Sequence, residues 1–231
     1  MTDNRISYCL ISFVAGAAAC LLTNKVWTKK DRSAAGATIE GNDLSLFYGD
    51  VSELTTIKES CRYLESSVYG KLVLNCVICC VDVVVVRRNA ATGKKECVLV
   101  ERSTEPVKGY WWWPGGRLLK GETIFAAAKR KAQQETGLNN VKPIQILGFW
   151  NTLFPTSAWD NETDKGTQTV NAIVLVELDD KGADVVLDET SERWRWIGLD
   201  PQKARENGED KYVIEALERL YDWDPSYHSS M

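Results

Sequence analysis

The sequence predicts an α/β fold, an α/β/α sandwich around a mixed β-sheet, preceded by an N-terminal apolar helix. Three observations carry this reading. Apolar runs of strand character recur from residue 71 to residue 199. Only two or three segments have the 3.6-residue spacing of a helix. An uncharged apolar stretch stands in front of them all.

That stretch is Ile6 to Leu22, ISYCLISFVAGAAACLL. It falls short of the ~20 residues that span a bilayer, and extension to Trp27 nearly makes up the difference. Lys25, Lys29, Lys30 and Arg32 follow it, against Arg5 and Asp3 in front, so the positive-inside bias leaves the following domain in the cytosol. Ala17 and Ala19 offer an alternative, a cleavage site that removes the segment. Residues 1–32 therefore read as a membrane anchor or targeting segment, touching the membrane through residues 6–26 if uncleaved. Small and polar residues make 33–45 a linker. Residues 46–70 form a helical extension, with Leu54, Ile57, Cys61 and Leu64 on one side between Ser52 and Tyr69.

The main domain is expected over 71–223, with 224–231 as a tail. A β-type run from Lys71 to Val86 leads through a turn at Asn89 and Gly93 to a strand at Glu96 to Glu101. Glu122 to Thr136 reads as a helix stopped by Gly137. Strands follow near Ile144 to Trp150, Thr169 to Leu178 and Trp194 to Leu199, then a helix from Asp210 to Tyr221.

Composition removes several function classes. The formal net charge is −4 and no basic stripe interleaved with aromatics appears, which argues against nucleic acid as a partner. The single histidine, His228, lies in the polar tail, which excludes histidine-rich zinc sites and Ser-His-Asp triads. Seven cysteines leave at least one unpaired. Cys76 and Cys79 have the spacing of half a zinc site, but no second pair follows. With Cys80, they are expected to be buried free thiols in a strand, in a reducing compartment.

The chemistry concentrates in Gly115 to Leu138, GGRLLKGETIFAAAKRKAQQETGL. Gly116, Glu122, Arg130, Glu135, Gly137 and Leu138 stand in the register of the Nudix signature, and here the chain resembles the Nudix family. Lys131 and Gln134 occupy the places of two signature glutamates. Positions 131, 134 and 135 share one helix face, which the full signature turns toward divalent metal. Here its formal charge falls from about minus three to zero, so a cluster of ions is excluded, whereas one Mg²⁺ is still compatible.

Gly109 to Arg117, GYWWWPGGR, with Arg102 upstream, is similar to the corresponding stretch of the GDP-mannose mannosyl hydrolase subgroup. This resemblance covers about Leu72 to Tyr221. It implies Mg²⁺ as cofactor, held by Glu135 and the backbone carbonyl of Gly115, a nucleotide-sugar substrate such as GDP-mannose, and a homodimer. It also implies that Arg102, Arg117 and Arg130 neutralise the diphosphate, a role that guanidinium geometry suits. Asp82 interrupts the run CCVDVVVV where the subgroup has an Asp linked to activity; a structural ion pair is the other reading. Among the three consecutive tryptophans, Trp112 is a candidate for stacking on base or sugar, against core packing.

The resemblance breaks at DETSERWRW, Asp188 to Trp196. Thr190 and Ser191 stand where the subgroup carries a metal-binding Gln and a catalytic His, and neither serves as a base near neutral pH. Glu189, or else the neighbouring Glu192, is the candidate that takes over proton abstraction. Two bonds are open to attack. The depleted metal face favours the anomeric carbon, releasing the sugar; the missing histidine favours phosphorus, releasing a sugar phosphate. A catalytically silent module that binds a nucleotide is the alternative of a different class.

Overall fold

The computed structural model describes residues 64–159, 165–179 and 183–227. The apolar segment at 6–26, the linker and the first part of the expected helical extension lie outside the described residues. Among the described residues, no helix is long and apolar enough to cross a membrane.

The chain runs α1 (Ser66–Asn75), β1 (Ile78–Arg88), β2 (Lys95–Arg102), β3 (Trp111–Trp112), β4 (Gly115–Arg117), α2 (Ile124–Thr136), β5 (Val141–Phe154), β6 (Thr167–Leu178), β7 (Ser191–Gly198), α3 (Pro201–Glu206), α4 (Lys211–Trp223) and a final turn of 3₁₀ helix (Pro225–Tyr227). The strands form one mixed sheet ordered β3-β2-β1-β6-β5, with β4 added to β1 and β7 to β2. The expected mixed α/β fold is therefore present.

Central strand β1 explains how the sheet opens for a site. It lies parallel to β6 from Ile78 to Val86. On its other side it pairs with two different strands. Val86 to Arg88 meet β2, whereas Cys80 to Asp82 meet β4, both antiparallel. Between these pairings β1 and β2 diverge, and the Gly115–Arg117 turn fills the gap. Hydrogen bonds from Val83 N–H to the Pro114 carbonyl (2.8 Å) and from Leu118 N–H to the Cys79 carbonyl (2.9 Å) hold the inserted turn.

The period-2 alternation of the strands supplies both faces with apolar residues. Val81, Val83, Val85, Val98, Val174 and Val176 pack under α2, whose Ala127, Ala128 and Ala132 let the helix lie close. Val84, Val86, Leu99, Ile173 and Leu175 pack against Trp112, Trp113 and the Val213, Leu217 and Leu220 face of α4. Both helices carry side-chain N-caps: Thr123 accepts from Ala126 N–H, and Asp210 from Tyr212 N–H. Gly137, at φ 69°, closes α2 in the left-handed region, where a Cβ is disfavoured.

Three local expectations change. Lys71 to Asn75 continue a helix instead of opening the strand, so the helix runs across the boundary expected at 70/71. Val73 is buried on α1, and the extended Cys76 returns its N–H to the Leu72 carbonyl, which ends the helix before β1 begins. Cys76 and Cys79 are exposed rather than buried, because they precede the covered part of β1; Cys80 is half-buried and Cys97 is enclosed, all as free thiols. Short α3, with Asp200 as cap and Pro201 in its first turn, and the two brief strands β3 and β4 went unrecognised because each is shorter than a periodicity window.

Candidate active site

The site is built where β4, the end of α2 and the middle of β1 converge. Glu135 is 2 % exposed, and both its carboxylate oxygens are engaged. Oε2 accepts the Gly115 N–H at 2.8 Å, and Oε1 accepts the Lys131 ammonium, also at 2.8 Å. Lys131 and Glu135 are one helical turn apart, the spacing at which such pairs meet.

Two glycines make this packing possible. A Cβ on Gly115 would stand 2.0 Å from Asp82 Oδ1, so no other residue fits there without displacing β1. A Cβ on Gly116 would stand 2.9 Å from both Cε and Nζ of Lys131, and the φ of this glycine is +150°. The missing side chain at Gly116 is thus the space that the lysine ammonium fills.

Asp82 lies behind Gly115 and is 4 % exposed. Its Oδ2 accepts hydrogen bonds from Asn171 Nδ2 (2.5 Å) and from the Tyr212 hydroxyl (2.6 Å). Asn171 is in turn bound to Thr169, and Thr169 to Thr152. Burial pushes the Asp82 carboxyl up to about 6, against the lowering effect of its two hydrogen bonds. The nearby Glu135 carboxylate raises it further, and Arg102 lowers it. Asp82, a catalytic candidate, is buried behind Gly115, its carboxylate held by Asn171 and Tyr212.

Arg102 ends β2 beside this wall. Its Nε is enclosed and has no hydrogen-bond partner. Its charge acts on both Asp82 and Cys80, and burial holds the Cys80 thiol up at about 12. Arg117 ends β4 with its guanidinium carbon 4.2 Å from the centre of the Tyr69 ring. Tyr69 meets Trp159 edge-on at 5.1 Å, so α1 forms a further wall over Arg117.

Other expected residues sit elsewhere. Arg130, expected to neutralise the diphosphate, is bound to Glu122 and to the Arg117 carbonyl. Its Nε and Nη2 grip the two Glu122 oxygens at 2.6 and 2.8 Å, and Nη2 also reaches the Arg117 carbonyl at 3.0 Å. Glu122 Oε2 additionally accepts Leu119 N–H. The two signature residues thus staple the loop to α2. Trp112 is no open stacking platform: it is 7 % exposed and lies stacked on Tyr212, with ring centres 4.3 Å apart. The alternation of β3 turns it into the core and leaves Trp111 outside, under Arg195. Glu189 is exposed. Its loop is tied beside Arg102, because Ser103 Oγ donates to the Glu189 carbonyl and Ser103 N–H to that of Thr190. The Thr190 hydroxyl donates to Asp188, and the Ser191 hydroxyl is enclosed without a partner.

Lys131, Tyr69, Asn171 and Tyr212 are the site residues that sequence reasoning did not assign. For Lys131 a signal was present, the i to i+4 spacing to Glu135. For the others none was, since they join the site only through the fold. A depression of about 270 Å³ lined by Gly109, Trp111, Arg195 and Glu209 is separate, and none of the expected site residues lines it.

The family that the signature resembles typically uses divalent metal. The residues here do not fit a resident divalent ion. Among the described residues no group of three or more His, Cys, Asp or Glu gathers. The one carboxylate of the helix face already holds an ammonium. The Lys131 ammonium repels a divalent ion placed beside it and competes with it for the Glu135 carboxylate. The Gly115 N–H, not its carbonyl, faces Glu135.

The NUDIX domain model matches residues 80–217. An Ap4A hydrolase from C. elegans, solved as a binary complex, is 21 % identical and aligns over 65 % of this chain and 99 % of its own, with a TM-score of 0.49. The MutT protein of Methanosarcina mazei Go1 is 21 % identical over 64 % of this chain and 95 % of its own, with a TM-score of 0.48. The NUDIX domain of Shewanella oneidensis NrtR, solved with ADP ribose, is 13 % identical over 69 % and 98 %, with a TM-score of 0.48. The segment matched by the family model is more than half of the 231 residues and holds the whole signature from Gly116 to Leu138, so the chain belongs to the Nudix family.

Proposed function

We propose that this Nudix hydrolase cleaves a nucleoside diphosphate-linked substrate, a nucleotide sugar of the GDP-mannose type, at the sugar carbon. One observation carries the reading. The Lys131 ammonium lies against Gly116, the charge of Arg102 acts on Asp82 behind Gly115, and Arg117 ends the same short strand β4, while the carboxylates of Asp82 and Glu135 are buried. Such a set of fixed cations stabilises a departing diphosphate electrostatically. The mannosyl substrate rests on the resemblance of Gly109 to Arg117 alone.

In this reading a water oxygen bonds to the anomeric carbon as the bond from that carbon to the β-phosphate oxygen breaks. The electron pair leaves on the nucleoside diphosphate, against Arg102 and Arg117. The proton of the water passes to the Glu189 carboxylate, whose loop is anchored to Ser103 at the end of β2. In this reading Arg130 holds the turn through the Arg117 carbonyl and Asp82 lies buried behind it. Magnesium, expected on Glu135 and the Gly115 carbonyl, would require Lys131 to swing out of the Gly116 cradle; no step is assigned to it.

The second reading, a silent nucleotide-binding module, is favoured by one specific observation. Thr190 spends its hydroxyl on Asp188, at the position where the subgroup carries a metal-binding Gln, and the Ser191 hydroxyl, at the place of the catalytic His, is enclosed. Product analysis by ³¹P NMR on the full chain with GDP-mannose separates the readings. GDP and free mannose are expected. GMP and mannose 1-phosphate would move the attack to phosphorus, and binding without turnover would establish the silent module.

A further inference from the structure

We infer that Lys131 replaces the catalytic metal of this fold: its ammonium, held by Glu135 in the Gly116 cradle, binds the substrate's diphosphate directly, and the site takes a nucleoside diphosphate without a divalent ion. The inference rests on the proposed reading in one respect, that the diphosphate binds at this turn.

Geometry, charge and space agree. The Lys131 ammonium sits 2.8 Å from the carboxylate that the Nudix resemblance assigns to the metal. It is tethered four residues before that carboxylate, so its place is set by the helix and needs no ion from solution. A side chain at residue 116 would crowd the end of Lys131, so the glycine leaves the ammonium this place. An ammonium carries three donors, of which Glu135 takes one, and the lysine side chain keeps 14 % of its surface open. The open part is available to phosphate oxygens, for which a lysine acts as a point charge. The second signature change has the same sense. Gln134 removes a second carboxylate from the face and engages Arg130 at 3.3 Å, so the face keeps no further anion for a metal. Position 131 both removes one carboxylate and adds the cation, and Gln134 removes the second carboxylate.

Two measurements on the full chain test this. Mn²⁺ titration followed by electron paramagnetic resonance should show no tightly bound ion. Calorimetric titration with GDP should give the same affinity in EDTA as in excess Mg²⁺, within about threefold. Lys131→Met, which keeps the length and packing of the side chain, should weaken GDP binding by about tenfold or more in EDTA. Lys131→Glu should create two adjacent carboxylates, bind Mn²⁺, and make GDP binding depend on it; this gain of a property cannot arise from misfolding. Stoichiometric Mn²⁺ binding by the unaltered chain, or GDP binding that EDTA abolishes, would overturn the inference and leave the diphosphate site standing. Unchanged GDP affinity in Lys131→Met would also overturn it. Absence of GDP binding under every condition would sink the diphosphate reading itself, and the inference with it.

Discussion

Asp82 shows what burial does to a single carboxyl. Its acid form persists to about pH 6, against an ordinary value of 3.8, because ionisation must occur inside the protein. The native state therefore binds more protons than the unfolded chain between about pH 4 and pH 6. Stability from this group is present at low pH and is lost as pH rises through that window, by roughly 3 kcal/mol in total at 1.36 kcal/mol per unit. Urea unfolding of Asp82→Asn and the parent from pH 4.5 to 7.5 should show the variant gaining on the parent as pH rises; parallel curves would disprove the coupling. Glu189 is the proposed general base. Glu189→Gln should lower kcat by about 10²-fold or more with little change in stability, as expected for loss of a general base. Turnover equal to the parent would remove Glu189 from the mechanism. At this scale the sequence was legible where identity alone decides: Glu135, Gly116 and the Lys131 and Gln134 changes stand in register. It was not legible where partners decide, since nothing local says that Arg130 meets Glu122 or that Trp112 stacks on Tyr212.

Among the elements, the loop and helix from Gly115 to Gly137 form one stapled unit. Thr123 caps α2, Glu122 accepts Leu119 N–H, and Arg130 grips Glu122 with two nitrogens. Glu122 is only 7 % exposed and Arg130 23 %, so removing the carboxylate takes two charge-assisted hydrogen bonds from a half-buried guanidinium. Glu122→Ala should cost about 2–4 kcal/mol, as for a buried charged hydrogen-bonded pair that loses one member. Thr123→Ala should cost about 1 kcal/mol through the cap alone. Urea unfolding checks both, and equal costs would contradict the staple. The helix and its stop were readable from spacing and from Gly137, because these are local rules. The α1 boundary was not, because KLVLN suits strand and helix alike, and only the packing of Val73 and Tyr69 decides.

At the scale of the molecule, the sheet sandwiched by α2 and α4 follows from strands whose two faces are both apolar, which alternating strands and helices announce. The change of partner along β1, from β4 to β2, could not be read, since it depends on long-range pairing. The apolar run at residues 6–22 and the cations after it set a separate expectation. The full chain should remain with membranes after carbonate extraction, and a chain starting at Ser33 should be released; equal release of both would refute an uncleaved anchor. The central claim is that this fold handles a nucleoside diphosphate with a built-in ammonium in place of a metal. Its most direct test is turnover of GDP-mannose by the full chain in EDTA, followed by ³¹P NMR. GDP should accumulate in EDTA at a rate close to that with Mg²⁺. Turnover that appears only when Mg²⁺ is restored would contradict that claim.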